Sequence, residues 1–536
     1  MRRCFLLVLV TMSCTSPTSV DTRPTEVSIT TTTAVTTTTP RQCRLEPTES
    51  SYLHDDPAAL AVALVGATAA CAERVVLSAD DLETQLAAAQ LAAAVGGPLL
   101  PVEAVSEVHR LEPAELYVVG DVLPDAIPSD IDVVALSADE ALAAAAELLG
   151  GVPILPAGTF RSTGRLVSAV NGEDAVIGGL PRPATGDDIS FAAINDQGRG
   201  ATWLVPYDRP DLLAPVLATA GSRDDSVLLV DPNELRNDRH LLEAVRGRPV
   251  FVAGDFDPQA LSWQLPALLS APELPGGGLL LFPGRRFVAL YGNPTTAALG
   301  VLGEQGPAEA VARTLEVATG YDADGVPVIP AFELIATVAS AGATADGNYS
   351  EEMSTDTLRP WIEVAAANGV YVILDLQPGR TDFLTQARLY EEFLALPHVG
   401  LALDPEWRLE PDQVHLRQIG SVEAAEVNQV SEWLAALVRE RNLPQKFFLL
   451  HQFRLDMIEN RDQIVSRPEL ATVIQMDGQG PLPTKYDTWN ALTAGTQDLG
   501  IFWGWKNFYD EDTPRGGATA AEVLGLDPVP VYVSYQ

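Results

Sequence analysis

Asp404 and Glu406 stand two residues apart, at the end of an apolar run from Val399 to Leu403. Side chains alternate along a strand, so such a pair projects to one side as long as the strand continues past Asp404. Two carboxylates in one pocket repel as anions, which raises one pKa and leaves an acid beside a charged partner, as glycoside hydrolysis requires. Other polar residues close similar runs: Glu333, Asp375 after Val-Ile-Leu, His451 after Phe-Leu-Leu, Asp477 after Val-Ile-Gln-Met, and Lys506 to Asp510 after Trp-Gly-Trp. Asp404, Glu406, Asp477 and Asp375 are therefore the candidate catalytic groups. Glu333, Trp407, His451, Trp503, Trp505, Lys506 and Asp510 are candidate ligand contacts, because aromatic rings offer apolar faces to the C–H faces of sugars and lose few rotamers. The competing reading is structural: aspartates here would cap helices, Asp404-Pro405 would be a turn, and the tryptophans would fill a core.

The elements that must hold these residues are strand-like runs at 328–339, 370–374, 399–403, 446–450, 471–475, 499–503 and 531–534, most of them separated by helix-length segments. Seven or eight such units predict a (β/α)8 TIM-like barrel over 325–536, with an open doubly wound sheet as the alternative. In a barrel the strand ends build the site. Upstream, the run Val75-Val76-Leu77, an Ala-rich helix over 82–95 stopped by Gly96-Gly97-Pro98, and strands at 99–100 and 116–119 predict parallel βαβ, Rossmann-like units over 42–160. A second α/β unit over 161–322 has strand candidates at 202–205, 227–230, 250–253, 278–282 and 287–291. Gly276-Gly277-Gly278 has no Lys-Ser or Lys-Thr after it, so it reads as a turn and not a phosphate loop.

The Asp-x-Glu of Asp404 and Glu406 is similar to the catalytic strand of chitinase-like and lysozyme-like glycosidase barrels, which implies Glu406 as proton donor with a supporting Asp. Chitinase-like enzymes carry a further Asp two residues earlier, where this chain has Ala402. Residues 75–121, with Leu86 to Leu100 and Leu116-Tyr-Val-Val-Gly-Asp121, resemble the cell-wall-binding repeat 2 family. Members of that family generally have three tandem repeats acting on wall polymers, and one copy is found here, within 55–160. The resemblance implies a cell-wall or surface glycan as partner. Cys14, with a small residue before it and a polar segment after it, resembles the lipidated cysteine of bacterial lipoproteins, although Thr11 stands where that pattern has Leu or Val. It implies a lipid anchor to a membrane.

Met1-Arg2-Arg3 and the short apolar stretch to Met12 form a secretion signal too short to span a bilayer, so the expected location is extracytoplasmic, in the cell envelope, with a soluble secreted product as the alternative. Residues 15–41 are rich in Ser, Thr and Pro and predict a disordered tether reaching on the order of 90 Å when extended. Cys43 and Cys71 are then left as one disulfide or two buried thiols. The net charge of −38 argues against nucleic acid as a partner. His451 with Asp404 and Asp477 is the one His-carboxylate set considered for a metal, but six histidines with no His-x-His or His-Glu-x-x-His lead to an expectation of no metal and no cofactor. A glycan hydrolase and a non-catalytic glycan-binding protein both fit the sequence.

Overall fold

The computed structural model describes residues 43–536 apart from 122–126, 149–191, 194–199, 224, 238 and 497–498. The secretion signal, Cys14 and the Thr-rich tether lie outside the described residues.

The N-terminal half is built on an Ala-rich helix, Leu82–Val95, in which every position from Thr84 except Gln85 to Ala92 is buried. A helix apolar on all sides must be covered on all sides. Its small side chains let helix Leu213–Arg223 approach so closely that a Cβ on Gly221 would lie 2.5 Å from Ala93 Cβ. Two sheets cover this helical layer. One is all parallel, in the order Leu99–Pro101, Arg74–Ser78, Glu115–Val119, Asp132–Leu136. The other runs Ser51–Tyr52, Val250–Ala253, Thr202–Pro206, Ser226–Val230, Ala192–Ala193, with only the last strand antiparallel. Val76 and Val119 of the first sheet share one core with Trp203, Val205 and Leu229 of the second. The two segments read from sequence as successive units therefore interleave, because Ser51–Tyr52 pairs with a strand about 200 residues later. Cys43 and Cys71 form a disulfide.

The C-terminal half is a closed barrel of eight parallel strands: β1 Arg286–Gly292, β2 Val328–Ala339, β3 Tyr371–Leu376, β4 Val399–Leu403, β5 Lys446–Gln452, β6 Leu470–Met476, β7 Phe502–Asn507 and β8 Tyr532–Tyr535. β1 pairs with both β2 and β8, which closes it. The barrel thus begins 39 residues before the boundary at 325 expected from sequence, since β1 belongs to it and not to the preceding α/β unit. The strand expected over 278–282 is instead a loop. Gly276, Gly277 and Gly278 turn it with φ of +83°, +85° and +75°, and Phe282 lies against Phe287, Phe447 and Phe502 with ring centroids 5.7, 5.4 and 4.8 Å away.

Strand alternation sorts the barrel into layers. Residues facing the helices, such as Leu290, Leu334, Leu374, Leu403, Leu450 and Ile474, form the outer core. Those facing inward begin with an aromatic floor of Phe287, Tyr371, Phe447 and Tyr532, followed by Ala289, Ala331, Ile373, Ala402, Leu449 and Val473. The next inward position on each strand is polar: Tyr291, Glu333, Asp375, Asp404, His451, Gln475, Lys506 and Ser534. Gly400 has no side chain to fill its inward place, and a Cβ there would lie 2.6 Å from Phe447 Cβ and 2.9 Å from Phe447 O. Gly400→Val should therefore cost about 1–3 kcal/mol by overpacking. Urea unfolding followed by near-UV circular dichroism should show an earlier transition, and an unchanged midpoint would refute this account of the floor.

Candidate active site

The sequence-selected residues converge at the C-terminal mouth of the barrel around His451. This imidazole is fully buried, and Nε2 lies 2.6 Å from Glu333 Oε1 while Nδ1 lies 2.9 Å from Asp477 Oδ2 and 3.8 Å from Asp404 Oδ2. Burial alone would pull its pKa down. Glu333, Asp404 and Asp477 together outweigh that effect and hold it well above the usual histidine range. Both nitrogens therefore carry protons and donate. Glu333 also accepts a 2.7 Å hydrogen bond from Tyr532 Oη, and although burial pushes its carboxyl up, His451, Lys506 and that bond leave it below the usual range.

Asp375 accepts from Tyr291 Oη at 3.0 Å, and burial raises its pKa to about 6. Lys506 Nζ sits 3.5 Å above the Tyr291 ring, which places its ammonium over an aromatic face. Asp404 is raised well above the ordinary range, first by burial and then by Glu406, Asp375 and Asp477, which exceed the opposing pull of His451. One oxygen each of Asp375, Asp404 and Asp477 is buried without a hydrogen-bond partner. Such orphan acceptors are rare in folded proteins, and three in one mouth mark a place where a ligand's donors belong.

Glu406 reaches the mouth by a different route from the one expected. The strand stops at Leu403, and a short 3-10 turn, Pro405–Trp407, carries the glutamate. Gly420 holds this turn in place, since its amide donates to Glu406 O at 2.8 Å and a Cβ on it would meet three carbonyl oxygens of the turn within 2.6 Å. Glu406 still faces the cluster: after burial, Asp477 is the largest influence, and together they raise its pKa to about 7 against the pull of Lys506 and His451. Its neighbour Arg408 does not neutralise it, being paired with Glu426 at 3.1 Å. Unlike the carboxylates beneath it, Glu406 is only partly buried.

Trp407 also stands at the rim, edge-on to His415 at 5.3 Å, and His415 Nε2 lies 2.9 Å from Tyr349 O. Trp503 and Trp505 do not line the site. Strand alternation turns both outward, where they pack on Trp489 with ring centroids 5.8 Å away, while Phe502, Gly504 and Lys506 of β7 face inward. Asp510 is exposed on the flank, beside a small cavity of about 160 Å³ that it shares with Arg313 and Tyr509.

Sequence reasoning missed Tyr291, because its strand was assigned to the preceding unit. It also missed the pair Lys485 and Asp512. Lys485 Nζ donates to Asp512 Oδ2 at 2.5 Å and to Lys506 O at 2.7 Å, while Asp512 accepts from the amides of Gly480 and Phe508, both at 2.9 Å. This buried pair ties the loop after Asp477 to the loop after Lys506. A lysine on a helix and an aspartate in a loop 27 residues later give no signal of the pairing in sequence.

Two sets offer metal-ligand atoms within 4.8 Å of one another: Glu333, Asp375 and His451, and Asp404, His451 and Asp477. Each needs a lone pair from His451, and both ring nitrogens already donate to carboxylates. A metal at either set and the paired hydrogen bonds of His451 therefore exclude one another.

No protein-family model matches the chain, and no curated protein matches it in sequence. Among solved structures it is similar to Cwp6 from Clostridium difficile, with a TM-score of 0.27 and 12% identity, over 70% of this chain and 65% of that one. The chain thus spans less than two thirds of the length of Cwp6, and a likeness of this size sets neither fold nor activity. Among the described residues no helix is long and apolar enough to cross a membrane.

The raised Glu406 carboxyl has a consequence for stability. A carboxyl whose pKa is higher folded than unfolded stabilises the fold at low pH, and that contribution is lost as pH climbs from the ordinary range near 4.5 through about 7. Glu406→Gln, which stays neutral, should match the parent chain at pH 4 and exceed it at pH 8 by about 1–3 kcal/mol, after allowance for solvent contact. Urea titrations at the two pH values measure this; the same difference at both would show that the carboxyl is not held up.

Proposed function

We propose that the protein is an exported cell-envelope protein whose barrel binds and hydrolyses a cell-wall or surface glycan. The observation that carries this reading is Glu406: a partly exposed carboxyl, its pKa raised by burial and Asp477 to about 7, beside buried carboxylates with three unpaired oxygens. Sugar hydroxyls are donors that would complete those oxygens, and Trp407 stands beside Glu406 for the apolar face of a sugar ring.

In this reading Glu406 gives its proton to the glycosidic oxygen as the bond from that oxygen to the anomeric carbon breaks. Asp477, the carboxylate that acts most strongly on Glu406, stabilises the positive charge that develops on the sugar. One water is consumed: its oxygen ends on the anomeric carbon, one of its protons stays with that new hydroxyl, and the other restores the proton Glu406 gave up. His451 takes no part in proton transfer. It fixes Asp477 and Glu333 and supplies the positive charge that lets them share a dry site. Export and retention at the envelope rest on the N-terminal signal, Cys14 and the segment resembling a cell-wall-binding repeat.

The test is reducing-end release from purified cell-wall glycan by the full chain and by Glu406→Gln. Loss of a general acid should lower the rate about 10²–10⁴-fold with glycan retention preserved. In the parent chain kcat/KM should fall as pH rises through about 7, where the acid loses its proton. Retention without release by either protein would make the barrel a non-catalytic binding domain, and neither retention nor release would remove the glycan altogether.

A further inference from the structure

A second cavity lies outside the barrel. It encloses about 890 Å³ in the N-terminal half, within the range of small-molecule sites. Ser78 and Pro101, the last residues of two neighbouring parallel strands, both line it. The cavity thus sits at the carboxyl ends of strands in an open α/β sheet, where such sheets place their ligands.

Its chemistry has two parts. The walls are largely aliphatic, with Ala61, Leu100 and Ala214 buried along them. Among the described residues the polar lining carries the carboxylates of Asp56, Asp80 and Glu103, the single imidazole of His54, and neither lysine nor arginine. Asp56 is spent on the amides of Ala58 and Ala59 at the start of helix Pro57–Thr68, so that helix end offers an anion nothing. Ser78, only 4% exposed, lines the cavity, and while its carbonyl accepts from the Val102 amide its hydroxyl has no protein partner. A buried hydroxyl without a partner is a group waiting for one.

We infer that this cavity binds a small aliphatic ligand carrying a primary ammonium group. The chain fills the aliphatic walls, the ammonium meets Asp80 and Glu103, and one of its protons is donated to Ser78. The site is separate from the barrel and does not depend on the hydrolase reading. An overall charge of −38 draws cations everywhere, so charge attraction alone cannot count as support.

The experiment is calorimetric titration of the full chain at physiological salt with n-hexylammonium, hexanoate and hexanol. Hexylammonium should bind saturably and at least tenfold more tightly than either isostere. The exposed double change Asp80→Asn with Glu103→Gln should weaken it about tenfold, the sum of two screened charge contacts. Ala58→Trp, which fills the cavity from a partly exposed position, should abolish it while far-UV circular dichroism stays unchanged. Equal binding of the isosteres, no saturable binding, or binding that survives Ala58→Trp would each overturn the proposal, the last by locating the amine elsewhere on an acidic surface.

Discussion

The mouth of the barrel depends on one buried imidazolium. Glu333, Asp375, Asp404, Asp477 and Glu406 converge there, and only His451 and Lys506 oppose them with positive charge. Five anions against two cations in a dry site would not hold together, because each buried ion costs several kcal/mol before its partners are counted. The fold resolves this in two ways. His451 takes a carboxylate on each nitrogen, and the pKa values of the other carboxyls rise. Burial is the first cause of the raised values of Asp375, Asp404 and Glu406, and the neighbouring carboxylates add to it.

The layers below make the arrangement possible. Each inward polar residue stands two positions beyond an apolar one: Glu333 above Ala331, Asp375 above Ile373, Asp404 above Ala402, His451 above Leu449. The floor excludes water from beneath, and the strands are too firmly paired for the carboxylates to move apart. At the rim, where no ladder operates, Gly420 pins the turn bearing Glu406, and the Lys485–Asp512 pair joins the loops that follow β6 and β7. A buried pair of that kind adds little net stability over apolar packing. Its effect here is positional, since it fixes the carbonyl of Lys506 itself.

Much of this was legible in the chain. Acidic residues closing apolar runs identified Glu333, Asp375, Asp404, His451 and Asp477 because a strand's end and a change to polar residues coincide in sequence. Three things were not legible, each for a physical reason. Alternation says that neighbours face opposite ways but not which way is inward, so Trp503 and Trp505 were placed in the site when Gly504 between them and Lys506 after them are the inward residues. The connection from β1 to β2 is long, through helix Pro307–Ala318 and short 3-10 turns, so β1 read as the end of the preceding unit. The expected reach of Glu406 by strand alternation failed at Pro405, where the strand gives way to a turn, yet that turn points the side chain to the same mouth.

The proposed glycan reading rests on three orphan oxygens in the mouth. A purely structural cluster would satisfy Asp375 Oδ1, Asp404 Oδ1 and Asp477 Oδ1 with a serine, an amide or a backbone N–H, each a small change worth about 1–3 kcal/mol per group. The barrel makes such bonds elsewhere: Gln475 donates to Ser534 Oγ at 2.5 Å within the same layer, and Gln377 donates to Tyr291 Oη at 3.3 Å. Single buried unpaired atoms occur elsewhere among the described residues, Tyr52 Oη and Thr202 Oγ1 for example, but the mouth gathers three carboxylate oxygens and Gln475 Oε1 in one place. What completes them must bring several donors at once and lie beneath Glu406, and a polyhydroxylated ring with a bond to be protonated meets both conditions.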